Sequence, residues 1–183
     1  MNYRSRVFEF CQDTGGLLTT KEAAQIGVPA VELRKLAQRG ALERIGHGTY
    51  RITHFPHSEN MTTLEVLKMA GPESYVVGES VLALLDLGIF NSRKLHIATP
   101  KRVRKQLPSY VTIHKSASGD VATEKYKQIK CQKVSDVFID LVGQLASDQL
   151  FSAAVEAQQQ NLISALELKL ITELINQTKL QQA

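Results

Sequence analysis

LLTTKEAAQIGVPAVELRKLAQRGALERIGHGTYRIT, residues 17–53, is the stretch that decides the fold of the N-terminal part of this chain. Thr19 and Glu22 have the spacing of a capping box, in which hydroxyl and carboxylate each accept a hydrogen bond from a free backbone N–H. We therefore expect a helix to begin here. Gly27 can adopt the left-handed conformation that ends a helix, and Pro29 suits the first turn of the next one, so residues 27–29 are predicted to form a turn.

The helix that follows this turn is predicted to be amphipathic. At about 100° per residue, one side collects apolar and small residues that are expected to pack against the core: Ala30, Leu33, Leu36 and Ala37. The opposite side is expected to face outward and carries Val31, Arg34, Lys35, Gln38 and Arg39. Gly40 is expected to stop the helix.

A short hairpin is predicted after the second helix. Residues 42–45 and 49–52 have strand character, and they flank the sequence Gly46-His47-Gly48, which can form a tight turn. Two short helices followed by a hairpin are the layout of a winged helix-turn-helix, which indicates binding to duplex DNA.

The outward side of the second helix supplies the groups that read a major groove. Arg34 and Lys35 can donate to guanine edges or phosphates, Gln38 can pair with adenine, and Val31 can contact a thymine methyl. The other predicted contact residues would position the protein on the DNA backbone: Thr20, Lys21, Arg39, Arg44, His47 and Arg51. The alternative is a solvated helix face on a winged domain that mediates protein contacts.

Composition indicates a folded protein of one large or two small domains. The 183 residues are 43% hydrophobic and 22% charged, which are ordinary globular values. No apolar run reaches the length of a bilayer span, and the N-terminus lacks the apolar core of a signal peptide. Cys11 and Cys131 have neither metal-site nor secretory spacing, so we expect a cytoplasmic protein.

Basic charge is concentrated in one acid-free interval. Between Asp86 and Asp120 the chain has no acidic residue. This interval contains the residues that we expect to contact a partner or phosphates: Arg93, Lys94, Lys101, Arg102, Arg104 and Lys105. The stretch from Thr99 is predicted to be a loop or a short helix that begins at Pro100. It would extend a DNA footprint or dock an acidic partner; the alternative is a solvated surface loop.

The other predicted elements surround these two features. A supporting helix is expected over 3–13, and residues 54–60 read as a linker, which predicts domains at 1–54 and 60–183. Two further helices are predicted, at 62–69, opened by a Thr62–Glu65 capping box, and at 79–87. Strands are predicted at 95–99, 110–114 and 129–134. Three more helices are predicted, at 136–144, capped by Ser135, at 149–159, and at 165–177, opened by a Ser164–Glu167 capping box. The predicted fold class is α+β: an N-terminal winged helix-turn-helix, then a mixed C-terminal domain with a small β-sheet flanked by helices.

Motifs for catalysis are missing from the sequence. It contains no G-x-x-x-x-G-K-[ST] loop, no H-E-x-x-H and no G-x-S-x-G elbow. His54 and His57 have an H-x-x-H spacing, but no cysteine or carboxylate cluster completes a ligand set. We therefore predict no enzyme, no cofactor and no metal.

Several stretches together resemble a known family. The 17–52 region, YVVGESVLALLDLG (75–88), KLHIATPKRVRKQLPSYVTIHK (94–115) and IKCQKVSDVFIDL (129–141) are similar to the AbiEi antitoxins of bacterial type IV toxin-antitoxin systems. The resemblance runs from about Leu17 to the final helix. It is strongest in the pattern G-x-L-x-R-x-x-x-G-x-Y at 40–50, in 99–104 and in the helix over 136–141.

The resemblance implies an antitoxin that binds inverted repeats in its own promoter through the winged domain and represses transcription. Its C-terminal domain would counteract a toxin with a nucleotidyltransferase fold, without requiring a stable complex. Self-association on DNA is compatible with this function. Two alternatives are kept: a protein-interaction module that neutralises a partner directly, and an enzyme that modifies the toxin.

Overall fold

A computed structural model describes residues 2–56, 59–90, 93–116 and 121–182, and this part of the chain contains eight helices and eight strands. In chain order they are α1 (Tyr3–Asp13), β1 (Leu17–Thr19), α2 (Thr20–Gln25), α3 (Ala30–Gln38), β2 (Leu42–Gly46), β3 (Thr49–Ile52), α4 (Met61–Ala70), β4 (Tyr75–Val76), α5 (Glu79–Leu84), β5 (Leu95–Thr99), β6 (Val111–Lys115), β7 (Thr123–Tyr126), β8 (Ile129–Gln132), α6 (Val134–Leu141), α7 (Ser147–Gln159) and α8 (Ala165–Gln182). The protein therefore mixes helices with two small sheets.

Two compact units divide the chain. The first comprises residues 1–74, 101–109 and 127–129, and the second comprises 75–100, 110–126 and 130–183. Compact units defined by contacts need not coincide with domains that fold independently, so the division into 1–54 and 60–183 stays a prediction.

A three-stranded antiparallel sheet, in the order β1-β3-β2, separates two layers of the first unit. On one face its alternate residues join a core with α1, α2 and α3: Val7, Cys11, Leu18, Ala23, Val28, Leu33, Leu36, Leu42, Tyr50 and Ile52. The intervening strand residues point to the other face. There Arg51 is ion-paired with Glu65 of α4, and the backbone of Gly46 approaches Met69. The sheet is thus covered by α1–α3 on one face and by α4 on the other.

The second unit is built on a five-stranded sheet in the order β6-β5-β4-β8-β7. Strands β5 and β6 are parallel, as are β4 and β8, whereas β4 and β5 are antiparallel. Val76, Ile97 and Cys131 share one face by register and are fully or almost fully buried. Helices α7 and α8 pack against each other, and both contact α6.

Local signals predicted helices α1, α2 and α3 well. Helix α1 has the predicted bounds, and Thr19 and Glu22 form the expected capping box at the start of α2. Gly27 has a φ of 72°, as a left-handed helix stop requires, and Pro29 stands at the N-cap of α3, one position before the helix. Ala30, in the first turn of α3, is exposed rather than packed, so this part of the predicted apolar side is wrong.

Two predicted helix starts are wrong. Helix α4 begins at Met61 with Asn60 at its N-cap and no side-chain cap, and Glu65 is held by Arg51 instead of closing a capping box with Thr62. Helix α6 begins at Val134 with Lys133 at its N-cap, so Ser135 is buried in the first turn and does not cap the helix. In both places a long-range contact or burial outweighs the local capping signal.

The boundaries of other elements shift by a few residues. Helix α5 ends at Leu84 rather than 87, since Asp86 has a φ of 53° and the Leu87 N–H closes back on the Leu82 carbonyl. Helix α8 continues to Gln182, and the predicted capping box of Ser164 and Glu167 opens it. The short strands β1, β4 and β7 were not predicted.

Candidate nucleic-acid interface

The exposed side of α3 is as the sequence predicts. Leu33 and Leu36 anchor the helix in the core. The five residues predicted to face outward are all exposed: Val31, Arg34, Lys35, Gln38 and Arg39. Val31 is 46% exposed, a large fraction for an apolar side chain on a helix that packs elsewhere. A continuous strip of guanidinium, ammonium, amide and methyl groups is therefore open to a ligand.

The turn before α3 fixes its direction relative to α2. Gly27 takes the left-handed conformation, and the next residue, Val28, is fully buried. The Val28 N–H donates to the Ala23 carbonyl over 2.8 Å, which ties the turn to the preceding helix. Buried apolar contact and backbone hydrogen bond together hold the exposed strip of α3 in one orientation.

The start of α2 is tied to the tip of the β2–β3 hairpin. The Thr20 N–H donates to the Gly48 carbonyl over 2.9 Å, and a Cβ on Gly48 would approach the Thr20 hydroxyl to 2.9 Å. Only glycine allows this close approach. Lys21, the next predicted contact residue, is exposed, whereas Thr20 is half-buried. The helix start and the hairpin tip therefore form one connected edge.

The Glu22 carboxylate stabilises the start of α2 through hydrogen bonds. It accepts from the Thr19 N–H and from the Lys68 ammonium, at 2.9 and 2.6 Å. Burial by itself raises the pKa of Glu22, but the hydrogen bonds from Lys68 and Thr19 outweigh it, so the pKa lies below its ordinary value. The carboxylate stays charged at neutral pH and keeps the α2 N-terminus ordered.

Arg44 lies on the side of the hairpin that faces α3, and His47 in the turn is close to it. Arg44 pairs across the strands with Tyr50, a core residue on the α3 side of the sheet, so both side chains lie on that face. Arg44 is exposed and donates to the Gly46 carbonyl over 3.3 Å, and its guanidinium lies 3.5 Å from the exposed His47 ring. Both groups are therefore exposed at the hairpin and able to bind a ligand.

Arg51 has a different environment from the one expected. It pairs across the strands with Glu43, on the face that carries α4, and its guanidinium donates to the carboxylates of Glu43 and Glu65. Glu43 and Glu65 raise the pKa of Arg51 above its ordinary value, although burial opposes them. Any contact of Arg51 with a DNA phosphate would compete with these two ion pairs.

The basic interval is divided between the two units. Residues 101–109 belong to the first unit and contain no helix or strand, so of the two predicted conformations the loop is correct. Lys101 pairs with Glu73, and Lys105 donates to the buried Thr49 hydroxyl over 3.3 Å. Burial lowers the pKa of Lys105.

Four members of the basic interval are exposed in addition to Lys101: Arg93, Lys94, Arg102 and Arg104. The first two lie in the second unit and the last two in the first. The interval is continuous in the sequence but does not form one continuous surface within either unit.

Other site chemistry is sparse in the described residues. Across 2–56, 59–90, 93–116 and 121–182, no group of three or more His, Cys, Asp or Glu is arranged to hold a metal ion, and His57 lies outside these ranges. Cys11 and Cys131 are buried, and burial raises the pKa of each thiol to about 11. Within the same residues no helix is both long and apolar enough to cross a membrane.

The N-terminal region is similar to a known family. Residues 5–53 match the family of transcriptional regulators described as AbiEi antitoxins. A crystal structure of the Rv2827c protein from Mycobacterium tuberculosis is similar at 15% identity and a TM-score of 0.43, covering 94% of this chain and 81% of that one. No curated protein matches the chain. The segment from α1 to the end of the hairpin, with the exposed strip of α3 at its centre, therefore has the sequence pattern of the AbiEi antitoxin transcriptional regulators.

Proposed function

We propose that this protein is a DNA-binding transcriptional repressor and antitoxin whose residues 1–54 act as a winged helix-turn-helix. The observation that carries the proposal is the exposed strip of α3, which lies within the segment that matches the regulator family. A helix of nine residues with one anchored side and one polar side has the shape of a recognition helix in a major groove. The β2–β3 hairpin then takes the place of the wing.

The residues of the strip divide into reading and positioning roles. Arg34 forms no ion pair with any described residue, so its guanidinium is ready to donate in pairs to a guanine edge. Gln38, one turn further along the same side, suits adenine, and Val31 suits a thymine methyl. Lys35 is paired with Glu32 at 2.8 Å and must exchange that carboxylate for a phosphate.

The positioning contacts come from the connected edge and the hairpin. Lys21, Arg39, Arg44 and His47 are exposed and suit phosphates, and the half-buried Thr20 lies beside Lys21 and can offer its hydroxyl. Arg51 is left out of this set because Glu43 and Glu65 hold it. Arg102 and Arg104 of the first unit are candidates for further phosphate contacts.

By the resemblance to type IV systems, the operator is an inverted repeat in the protein's own promoter, and the protein acts in the cytoplasm. The second unit would counteract a toxin with a nucleotidyltransferase fold, and the protein itself would not be an enzyme. These parts of the proposal depend on the family likeness, since periodicity and charge do not reveal a toxin.

Titration of fluorescent promoter DNA tests the reading role. Arg34→Ala should weaken specific binding by about 1–3 kcal/mol, or about 5- to 150-fold in Kd, and relax preference at one base pair. Lys169→Ala, an exposed charge on α8, is the matched control and should leave Kd within twofold. If Arg34→Ala weakens promoter and random duplex equally, α3 does not read sequence.

A second candidate function is direct neutralisation of a protein partner by the second unit. Three large apolar side chains on α7 and α8 are exposed: Phe151 at 41%, Leu166 at 82% and Leu170 at 47%. If these side chains form one contiguous patch, they would suit an apolar face of a protein partner. Co-purification of the toxin with this protein, together with no salt-dependent binding to promoter DNA, would favour this function over repression.

A further inference from the structure

Two histidines lie side by side on one face of the sheet in the second unit. His96 is on β5 and His114 on the parallel edge strand β6, and the register pairs His96 with Thr112 and Ala98 with His114. The two histidines are therefore diagonal neighbours on the same face, within reach of each other. His96 Nδ1 lies 2.9 Å from His114 Nε2, and the rings stack with centroids 5.2 Å apart at 27°.

The backbone beneath this pair is fixed. The His96 N–H donates to the Ser80 hydroxyl over 2.8 Å, and that hydroxyl lies 3.3 Å from the Lys94 carbonyl, to which it donates. Ser80 is itself buried at the start of α5. The backbone of His96 is thus held in place, while the His114 side chain is exposed and able to adjust.

The pair borders an open cavity of about 450 Å³. Gly78 lines it with a φ of 60° and has empty space where a Cβ would stand. Glu79 and Asp140 also line the cavity, and the Asp140 carboxylate accepts from the Gln132 amide over 2.6 Å. Solvent and a small ion can therefore reach the two rings.

The spacing of the two ring nitrogens fits a chelate. Two imidazole nitrogens bound to one ion at about 2.05 Å, on adjacent positions at about 90°, lie about 2.9 Å apart. The hydrogen bond between the rings requires one N–H donor, and that ring can carry its proton on the outer nitrogen instead. A change of tautomer frees both facing nitrogens with no net loss of a proton, and both rings must then turn so that each lone pair points about 45° away from the line between the two nitrogens.

We propose that His96 and His114 form a two-nitrogen binding site for a transition-metal ion of the Cu²⁺ or Ni²⁺ class. Imidazole suits these ions, and tetragonal coordination with nitrogen and oxygen ligands is their preferred geometry. No third His, Cys, Asp or Glu of the described residues completes a ligand group with the pair, so water occupies the remaining positions. The ion would join the edge strand β6 to β5. This site is independent of the DNA-binding face.

Calorimetric titration of the full chain with Cu²⁺, followed by electron paramagnetic resonance, tests the site. One Cu²⁺ should bind with a spectrum of two equatorial nitrogens, while Mg²⁺ should not bind. His114→Gln should weaken Cu²⁺ binding at least tenfold and leave a one-nitrogen spectrum. His114 is exposed, so this variant should retain the circular dichroism of the parent.

His96→Gln provides a second removal of one ligand, and His54→Gln, an exposed histidine of the first unit, is the matched control. Loss of the two-nitrogen signal in both sheet variants, but not in the control, would support the site. Unchanged affinity and spectrum in His114→Gln and His96→Gln would overturn it. The proposal would equally fail if His54→Gln alone removed the signal.

Discussion

Arg44 and Arg51 are two arginines of one hairpin with opposite surroundings. Arg44 is exposed on the α3 side, whereas Arg51 lies between Glu43 and Glu65 on the α4 side, with its side chain 26% exposed. Strand alternation decides which arginine meets carboxylates, because odd and even positions face different layers. The two residues should therefore separate stability from DNA binding.

Arg51→Ala should lower the free energy of unfolding by about 1–3 kcal/mol, since it leaves the half-buried Glu65 carboxylate without its partner. Arg44→Ala should change it by less than about 0.5 kcal/mol, as expected for a surface position. Urea denaturation measures both. In DNA titrations the order should reverse, with Arg44→Ala weakening binding and Arg51→Ala leaving it close to the parent. A larger loss of DNA affinity in a folded Arg51→Ala would restore the role predicted from sequence.

Glu167 should make stability depend on pH in the acid range. Its hydrogen bond from Lys133, with further bonds from Ser164, lowers the pKa of this carboxyl to about 2. Because the unfolded chain protonates near the ordinary value of 4.5, the stabilisation is fully present above that pH. It is lost progressively as pH falls from about 4.5 towards 2.

Denaturation of the parent and of Glu167→Gln between pH 7 and pH 2 measures this effect. The difference in unfolding free energy should be largest near neutrality and shrink below pH 4.5. Glu173→Gln, an exposed glutamate on the same helix, is the control. A difference for Glu167→Gln that stays constant down to pH 2 would contradict the ion-pair account.

Among the turns, Gly16 and Gly40 form a matched pair with similar backbone and different surroundings. Their φ values are 79° and 72°, so a side chain is strained at either position. A Cβ on Gly16 would lie 2.5 Å from Cγ of Phe55, whereas one on Gly40 would meet nothing within 4 Å.

Gly40→Ala should therefore cost about 1–2 kcal/mol of stability from backbone strain alone. Gly16→Ala should cost more, because the ring of Phe55 must also move away from the turn. Thermal unfolding of the two variants gives the comparison. Equal losses would mean that Phe55 repacks freely and that the close approach at Gly16 has no energetic weight.

Elements with strong local signals could be predicted, and those that depend on distant residues could not. The two capping boxes at Thr19 and Ser164 form because their partners lie three residues away. Strand β4 has two residues and no periodicity to detect, yet it pairs with both β5 and β8. Glu65 has the same capping spacing as Glu22 but is captured by Arg51, fourteen residues earlier.

In the candidate site too, local patterns predict some features, whereas others depend on distant residues. Amphipathic spacing was sufficient to place Arg34, Lys35 and Gln38 on the open side of α3. It could not reveal that Arg51 faces a helix that begins after the predicted linker, nor that the basic interval is divided between two units. Those facts depend on packing between segments that are remote in the chain.

The position of α4 bears on how much of the chain is needed for the proposed DNA-binding part to fold. This helix belongs to the first unit, although it follows the predicted linker. It buries Met61, Val66 and Met69, and it contributes two ion pairs to the sheet layer, Lys68 with Glu22 and Glu65 with Arg51. Without α4, the side chain of Leu17 and the carboxylate of Glu22 become exposed to solvent.

Fragment 1–74 should therefore unfold cooperatively and bind promoter DNA. Fragment 1–54 should be less stable by several kcal/mol, because it lacks the buried apolar side chains of α4 and each such side chain contributes about 1.5–3 kcal/mol. Both fragments lack residues 101–109, so the loss of the Lys105 contact to Thr49 cancels in the comparison. Circular dichroism with urea and DNA titration measure the two properties. If 1–54 matches 1–74 in both, α4 is dispensable and the division predicted from the sequence is the functional one; if 1–74 alone is folded, the DNA-binding unit extends through α4.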